Sequence, residues 1–339
     1  MDLHYGYPFT GSRLDKFKTF LEEQGLVYDE QVQFSVCIMD GDIITASGAL
    51  DANVLKCIAV DPKYQSEGLS ARIVTELINK AAECGQHHLF IFTKPENMEL
   101  FSSMGFNTIA QTQKVLLMEN LKNGIGSFVS SLQRPSGGRT GKKPSKEIGS
   151  IVANCNPFTN GHLYLIETAA SKCDSLHIFI ISENKSEFPE ELRRELAVRG
   201  TAHIPNVIVQ PTGPYLISAA TFPEYFLKDE SPAELNAELD LTIFAEYFAR
   251  PLGITHRFVG TEPNCQLTAA YNRRMKEILP RYNIEVVEVP RLEISYNKGT
   301  HVVSASRVRS LLEAGALAEI EALVPPATYQ YLSEHGKPS

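Results

Sequence analysis

The stretch IVANCNPFTNGHLYLIETAASKC, residues 151–173, joins an apolar run to a segment with helical spacing. The apolar run breaks at Asn156-Pro157, and the chain passes through Thr159-Asn160-Gly161-His162 before helical spacing resumes. Backbone N–H groups at a helix start, together with the helix dipole, attract anions. Two interpretations stay open on these residues alone. Either Thr159 or Asn160 caps the helix and His162 is an exposed polar residue, or Thr159 and His162 donate hydrogen bonds to a phosphate.

The chain around this stretch alternates strands with helices from Ile148 onward. Near-continuous apolar segments predict strands at residues 148–155, 176–182, 206–210, 256–260 and 284–290. Segments with helical spacing follow them at residues 161–173, 189–203, 231–253 and 264–279, and a last long helix begins near residue 304. Buried strands that alternate with helices predict a parallel sheet covered on both faces, which binds ligands at the carboxyl ends of its strands.

A different pattern precedes this region, between about Phe34 and Leu121. Residues 34–50 alternate and turn at Asp40-Gly41, which indicates a β-hairpin, and residues 53–60 add a third strand. Further segments predict a helix, a strand, a short helix and a closing strand pair, at residues 70–85, 88–93, 95–105 and 106–120. The pattern predicts an α+β domain that begins as a meander.

Between the two regions the apolar periodicity is lost. Residues 122–147 are rich in Gly, Ser, Pro and Lys, and RPSGGRTGKKPSK, residues 134–146, has no apolar periodicity at all. We therefore predict a domain at 1–121, a linker or mobile loop at 122–147 and a second domain at 148–339. The basic cluster in the linker is interpreted as a solvated segment, with an approach to phosphates as the alternative.

Composition excludes several classes of protein. A chain of 339 residues exceeds one ordinary core, and 43% hydrophobic against 21% charged residues allows most of it to fold. A formal net charge of −8 argues against a nucleic-acid partner. We find no apolar span of membrane length and no signal pattern, so we expect a cytoplasmic protein without a membrane partner. The six cysteines are scattered singly, which is unlike a zinc site or a disulfide scaffold.

A second group of polar residues stands at another predicted helix start. HVVSASRVRSLL, residues 301–312, places Ser304, Ser306 and Arg309 within two turns of each other. Two hydroxyls and one guanidinium can converge on phosphate oxygens. A serine N-cap followed by a solvated arginine is the alternative. The residue types alone do not separate the two.

Taken together, these two stretches resemble a known two-part signature. A Thr/His-x-Gly-His turn after the first strand, paired with Ser-x-Ser-x-x-Arg before the last long helix, is that of the HxGH nucleotidyltransferase superfamily. Further stretches closely resemble the citrate lyase ligase family over about residues 148–323; they include NCNPFTNGH, SEFPEELRREL, NVIVQPTGPYLISAATFPEYFLK and RFVGTEPNCQLTAAYNRRMKEILP. The fold class implied is α/β, with an N-terminal GNAT-like α+β domain followed by a Rossmann-like parallel-sheet nucleotidyltransferase domain.

The resemblance also implies a reaction. ATP, acetate and the thiol of the citrate lyase acyl carrier subunit would give AMP, pyrophosphate and an acetyl thioester on the CoA-derived prosthetic group of that subunit. Acetate alone is a poor acyl donor because its leaving group would be oxide, and adenylation removes that obstacle. We expect positioning and charge stabilisation to dominate catalysis. We also expect Mg²⁺ to neutralise the leaving pyrophosphate, although no carboxylate stands out as its ligand.

Residue roles follow from this reaction. We expect Thr159 and His162 to stabilise charge on the α and β phosphates, and Ser304, Ser306 and Arg309 to hold the β and γ phosphates. Further residues are expected to line the nucleotide or acyl site, namely Asn156, Phe158, Gly161, Gly260, Thr261 and Glu262. Lys185 and Arg193 are additional phosphate candidates, with a charge on a helix surface as their alternative interpretation.

The N-terminal region carries its own resemblance. IAVDPKYQSEGLSARIVTEL, residues 58–77, is similar to the GNAT motif Q/R-x-x-G-x-G/A, whose backbone amides hold the pyrophosphate of coenzyme A. Gln65, Gly68 and Ser70 occupy its defined positions, and Ser70 departs from the Gly or Ala of the pattern. A strand–turn–helix joint without a ligand is the alternative. We therefore predict that this domain grips the CoA-like prosthetic group rather than acetyl-CoA itself.

Three other functions stay open as alternatives, and the first of them would use the same two polar stretches. A small-molecule adenylyltransferase of the phosphopantetheine type would release a stable dinucleotide, whereas a GNAT acetyltransferase would consume acetyl-CoA without ATP. A nucleotide-sensing partner of citrate lyase would bind ATP without turnover. The products separate these functions from a ligase.

Overall fold

The computed structural model describes residues 1–134, 147–182, 186–217, 232–262, 266–296 and 299–336. It divides into two compact units, the first comprising residues 1–125 and 219–240 and the second residues 126–218 and 241–339. Within the segment predicted as a linker, a helix occupies Gly124–Ser131. Most of the basic cluster lies outside the described residues, and the three-part domain division stays a prediction.

The strands are β1 Asp2–Gly6, β2 Phe34–Asp40, β3 Ile43–Asp51, β4 Val54–Val60, β5 Phe90–Thr93, β6 Asn107–Gln111, β7 Leu116–Glu119, β8 Ile148–Ala153, β9 Ser175–Ile180, β10 Val207–Pro211, β11 His256–Gly260, β12 Glu285–Val289, β13 Glu293–Tyr296 and β14 Gly299–Val302. The α-helices are α1 Gly11–Glu23, α2 Leu69–Glu83, α3 Met98–Ser103, α4 Gly124–Ser131, α5 Asn160–Ala170, α6 Glu190–Thr201, α7 Pro232–Ile243, α8 Arg250–Leu252, α9 Gln266–Ile278, α10 Ala305–Glu313, α11 Leu317–Ile320 and α12 Pro326–His335.

The first unit is built on a seven-stranded sheet of order β1-β2-β3-β4-β5-β7-β6. Every neighbouring pair is antiparallel except β4 and β5, which run parallel. The predicted hairpin joins β2 to β3, and Gly41 at its turn has φ +60°, a conformation that favours glycine. The predicted meander is thus present, and the structure adds β1 and α1, which the sequence pattern did not indicate.

Helices cover both faces of this sheet. On one face α2 buries Ile73 and Leu77 against the strands. A β-carbon at Gly48 in β3 would lie 2.4 Å from Cγ2 of Ile73, so the absence of a side chain there lets α2 approach the sheet closely. On the other face α1 buries Phe17 and Leu21 in a separate cluster. The two apolar clusters give the unit a core on each side of the sheet.

The second unit is built on a five-stranded sheet of order β10-β9-β8-β11-β12 in which every pair is parallel. All six residues of β9 are buried, as expected for a strand covered on both faces. The chain runs from β8 outward to β10 and then returns to β11 on the other side of β8. Ligands of such sheets bind where the strand order reverses, which here is at the carboxyl ends of β8 and β11.

The predicted elements of this unit are present with shifted ends. Helix α5 begins at Asn160 and ends at Ala170 rather than at residue 173. The long helical region predicted at 231–253 is α7, a π-helical turn at Phe244–Ala249, and α8. A small antiparallel hairpin, β13–β14, stands between the last sheet strand and α10, and the sequence analysis did not predict it.

Candidate active site

Thr159 is the N-cap residue of α5, at the end of the loop that follows β8. Its hydroxyl oxygen accepts a hydrogen bond from the backbone N–H of His162 at 3.4 Å. In return Nδ1 of His162 accepts from the backbone N–H of Thr159 at 3.1 Å, which completes a capping box. The Thr159 side chain is buried. The capping interpretation of Thr159 is therefore correct, and its hydroxyl is already engaged within the protein.

His162 is a neutral imidazole in this arrangement. Burial, and to a smaller extent the positive charge of Arg291, together lower the pKa of His162 to about 4. Nδ1 accepts from the Thr159 backbone and lies 2.9 Å from the Thr159 hydroxyl. Because Nδ1 is an acceptor, the ring proton resides on Nε2, so His162 offers one N–H donor and no charge.

The second polar stretch lies directly against the first. A β-carbon at Gly161 would lie 2.8 Å from the carbonyl oxygen of Val303, so the chain passes residue 303 at a distance that only glycine allows. Ser304, the next residue, caps α10 by accepting from the backbone N–H of Arg307 at 3.3 Å. The starts of α5 and α10 therefore meet at the carboxyl end of β8.

Arg309 joins the two stretches a second time. Its Nη1 donates to the carbonyl oxygen of Asn156 at 2.6 Å, and its Nε lies 2.9 Å from the carboxylate of Glu187. Nη2 donates to the hydroxyl of Ser306 at 3.4 Å, and Ser306 is exposed. The side chain of Arg309 is three-quarters buried, with a relative exposure of 25%, and each nitrogen of its guanidinium has a partner.

A short segment after β9 carries the partner of Arg309. The side-chain oxygen of Asn156 accepts from the backbone N–H of Phe188 at 3.0 Å, and Asn154 exchanges hydrogen bonds with the hydroxyl of Ser186 at 3.0 and 3.2 Å. Glu187 stands between these two attachments. The loop after β8 therefore fixes the backbone on both sides of the carboxylate that holds Arg309.

Arg193 and Phe158 lie beneath this surface rather than on it. Arg193 has a relative exposure of 0%; its Nε donates to the carbonyl of Phe188 at 2.8 Å, and its Nη1 donates to the carbonyls of Asn154 and Ile181, also at 2.8 Å. Burial lowers its pKa. Its expected direct contact with phosphate is corrected to a supporting position, because its donors are taken up by carbonyl oxygens of the segments that follow β8 and β9. Phe158 is equally buried and stacks on the ring of His162 at 5.9 Å.

The end of β11 lies beside the same region of the sheet. The carbonyl of Gly260 accepts from the side chain of Asn272 at 3.2 Å, and no atom of the described residues lies within 4 Å of where a β-carbon of Gly260 would stand. The Thr261 backbone N–H donates to Val289 at 3.0 Å. The carbonyl oxygen of Thr261 accepts from Nε of Arg291 at 2.7 Å, and Glu262 pairs with the same guanidinium.

Arg291 was not identified from the sequence. The sequence feature that could have identified it is its position two residues after β12, which places it at the carboxyl edge of the sheet. Another predicted site residue, Lys185, lies outside the described residues. The thiol of Cys155 is buried and its pKa is raised to about 12, so it offers no thiolate at neutral pH.

In the first unit, Gln65, Gly68 and Ser70 surround the start of α2. Gly68 has φ +71°, and the helix begins with the next residue. Gln65 and Gly68 are exposed, and Ser70 is half-buried. The predicted strand–turn–helix joint is present, and its ligand stays a prediction.

The described part of the chain contains neither a cluster of metal-ligating side chains nor a helix that could span a membrane. No group of three or more His, Cys, Asp or Glu side chains among those residues is arranged to hold a metal ion. None of their helices has the length and apolar character needed to cross a membrane.

The chain combines an α+β domain with a parallel-sheet α/β domain whose polar residues gather at the carboxyl ends of the strands, and both domains match known families. The family described as "Citrate lyase ligase C-terminal domain" matches residues 148–332, and the one described as "Acetyltransferase (GNAT) domain" matches residues 8–116. The chain is similar over almost its whole length to proteins named [Citrate [pro-3S]-lyase] ligase. The Escherichia coli K12 protein is 41% identical, covering 96% of this chain and 92% of that protein. The Klebsiella pneumoniae protein is 42% identical, covering 95% of this chain and 93% of that protein. The Haemophilus influenzae protein is 40% identical, covering 96% of each.

The chain therefore belongs to the citrate lyase ligase family and is an enzyme of the ligase class. The resemblance seen in the sequence is confirmed.

Proposed function

We propose that this protein uses ATP to acetylate the thiol of the CoA-derived prosthetic group on the acyl carrier subunit of citrate lyase, which activates that enzyme. One observation carries the proposal beyond family membership. Arg309 and Asn156, from two distant polar stretches, are joined by a 2.6 Å hydrogen bond at the carboxyl end of the first strand of a parallel sheet. Two helix starts and a guanidinium converge there, which is an arrangement suited to a polyphosphate.

The reaction proceeds in two balanced steps. An oxygen of acetate attacks the α-phosphorus of ATP, the bond to the β-phosphate oxygen breaks, and pyrophosphate leaves with its electron pair. The thiolate of the prosthetic group then attacks the carbonyl carbon of acetyl-adenylate, and AMP leaves. The thiol proton passes to solvent or to the departing phosphate.

His162 has a defined role in the first step. Its Nε2–H donates to an oxygen of the α- or β-phosphate as negative charge develops there, and its low pKa keeps it neutral throughout. A neutral ring without a vacant acceptor nitrogen is a donor rather than a general base. Thr159 supports this role indirectly, because its backbone and hydroxyl fix Nδ1 and hence the ring orientation.

Arg309 and Ser306 are proposed to contact the β- and γ-phosphates from the other side, and Ser304 presents the first backbone amides of α10 to them. Asn156 and Gly161 shape the loop, and Gly260 provides open space at the end of β11 for the nucleotide. Mg²⁺ bound to the phosphates of ATP would supply further charge neutralisation. Arg193 supports the site by holding the strand ends.

The first unit is proposed to bind the CoA-like prosthetic group. Backbone amides at the Gly68 turn would face its pyrophosphate, with Gln65 and Ser70 beside them. We place the protein in the cytoplasm, where ATP and citrate lyase would both be available to it.

Acetate-dependent exchange of labelled pyrophosphate into ATP tests the first step, and acetyl transfer to deacetylated citrate lyase tests the second. We expect exchange without the lyase, and AMP and thioester formation when it is added. A stable dinucleotide product, acetyl-CoA consumption without ATP, or ATP binding without turnover would each contradict the proposal.

A further inference from the structure

Arg291 is a cation at the edge of the site, and the proposed adenylation steps assign it no role. It follows β12, the edge strand of the parallel sheet, and reaches back over the end of β11. Its Nε donates to the carbonyl of Thr261 at 2.7 Å, and its Nη2 pairs with the carboxylate of Glu262. The side chain of Arg291 is 29% exposed and that of Glu262 is 8% exposed. The guanidinium is therefore anchored through Nε and Nη2, and the side chain as a whole is partly exposed.

The guanidinium lies close enough to His162 for its charge to act on the ring. That charge lowers the pKa of His162, in addition to the effect of burial. His162 stands beyond β8 and Arg291 beyond β12, and β11 lies between those strands. Arg291 and the Nε2–H of His162 are thus two donors on the same edge of the sheet.

Among the described residues, the hydrogen bonds of Arg291 use two of the three nitrogens of its guanidinium group. Nε and Nη2 have the partners named above, and within the described residues Nη1 has no hydrogen-bond partner. Glu262 already fixes the guanidinium plane, so a second oxyanion can approach Nη1 without first ordering the side chain.

We propose that Arg291 binds the carboxylate of the acid substrate and directs one of its oxygens toward the α-phosphorus, with Glu262 as the residue that positions the guanidinium. The inference rests on the proposed function. The step brings a carboxylate anion against a polyphosphate, and a cation at that point offsets their repulsion. Arg309 is held by Asn156 on the loop after β8 and by Glu187 on the segment after β9, whereas Arg291 is held at the end of β11, so the two cations are assigned to different anions.

Paired substitutions separate this role from that of a structural ion pair. Arg291→Gln removes the charge that binds the carboxylate, and we expect it to raise the KM for acetate in pyrophosphate exchange at least 10-fold, with the KM for ATP changed less than 3-fold. Glu262→Gln removes the charge that positions the guanidinium but keeps a hydrogen-bond acceptor at the same place. We expect it to raise the KM for acetate by less than Arg291→Gln does, with the KM for ATP unchanged. If both variants raise the KM for acetate alike, the pair is structural and the proposal fails.

Arg281→Gln is the matched control, because Arg281 is exposed and precedes β12 at the opposite end of the strand. It should leave both KM values within 2-fold of wild type. A rise in the KM for ATP alone in Arg291→Gln would assign the guanidinium to the α-phosphate and overturn the carboxylate role. Restoration of acetate-dependent exchange in that variant by added guanidinium ion, with the KM for ATP unchanged, would support it.

A stability measurement and a second variant distinguish loss of acetate binding from loss of folding. Thermal unfolding of each variant shows whether it is folded, and Arg291→Lys provides a second variant that retains charge but loses the anchoring fork. If the wild-type protein shows no acetate-dependent exchange, the proposed function fails. If it shows exchange and Arg291→Gln binds acetate as well as wild type does, only this inference fails.

Discussion

The Nη1 atom of Arg309 donates a 2.6 Å hydrogen bond to the carbonyl oxygen of Asn156, 153 residues earlier in the chain. Asn156 belongs to the loop that leads into α5, and Arg309 belongs to α10. The carboxylate of Glu187 holds Nε of the same guanidinium at 2.9 Å. One side chain thus connects the loops after β8 and β9 with α10, and its placement depends on all three.

Arg309→Lys should therefore lower pyrophosphate exchange by about 10²-fold while the protein stays folded, because lysine keeps the charge but cannot make the fork of contacts. The measurement is exchange rate against ATP concentration. Arg307→Lys is the control in the same helix, since the Ser304 cap uses the backbone N–H of residue 307 and survives the substitution. Equal losses in both variants would show that α10 tolerates no such change and would remove the specific role of Arg309.

His162→Ala should reduce acetyl-adenylate formation by about 10²–10³-fold, because one preorganised donor is lost. Loss of its side of the capping box should lower the free energy of unfolding by only about 1 kcal/mol. The measurements are acetate-dependent exchange and thermal unfolding. Exposed His203, which pairs with Glu167, provides the control variant His203→Ala. Wild-type exchange in His162→Ala would remove His162 from the mechanism.

Much of the second unit could be predicted because its strands are apolar throughout and its helices are amphipathic. The role of Thr159 could not be predicted from its residue type, because helix capping and phosphate binding use the same hydroxyl. Only the 2.9 Å contact with the His162 ring in the structure shows how that hydroxyl is used. In the first unit, β1 was missed because it lies at the sheet edge and none of its five residues is buried, which leaves little apolar signal.

Adjacent arginines illustrate the same limit. Arg193 and Arg194 are indistinguishable in ELRREL, yet Arg193 is fully buried while the side chain of Arg194 is 41% exposed and pairs with Glu190. Sequence periodicity gives the face of a helix but not the carbonyls that another segment brings to it. The role of Arg193 depends on strand ends at Asn154 and Ile181, which no local pattern contains.

Arg193→Met should lower the free energy of unfolding by about 3 kcal/mol or more, because several buried carbonyl oxygens lose their donor at once. Chemical denaturation measures this directly. Arg194→Met is the neighbouring control, and we expect a change under about 1 kcal/mol, since it loses only a surface ion pair. Similar losses in the two variants would contradict the supporting role of the buried guanidinium.

Gly161→Ala should be damaging although it adds only one carbon. Its β-carbon would lie 2.8 Å from the carbonyl oxygen of Val303, so the backbone before α10 must move away from α5. We expect pyrophosphate exchange to fall at least 10-fold, together with a measurable drop in the unfolding midpoint. In Gly260→Ala the new methyl group meets open space, so stability should not change. Any loss of exchange in that variant would then report on ATP binding, and a raised KM for ATP would be its signature.

Acid should destabilise this protein through buried histidines. Burial lowers the pKa of His177 from its usual 6.5 to about 4, and its ring lies in β9 beside Gln210. Between these two pH values the unfolded chain binds the proton and the folded chain does not, so the free energy of unfolding falls as pH drops from about 6.5 to about 4. The effect is about 1.4 kcal/mol for each unit of pKa shift.

His177→Asn keeps an amide near the position of the ring nitrogen but cannot titrate. Its unfolding free energy should therefore depend less steeply on pH across that range than that of wild type, measured by urea denaturation. His203→Asn, at an exposed site, should follow the wild-type slope. If His177→Asn also followed it, the acid sensitivity would have to come from other groups.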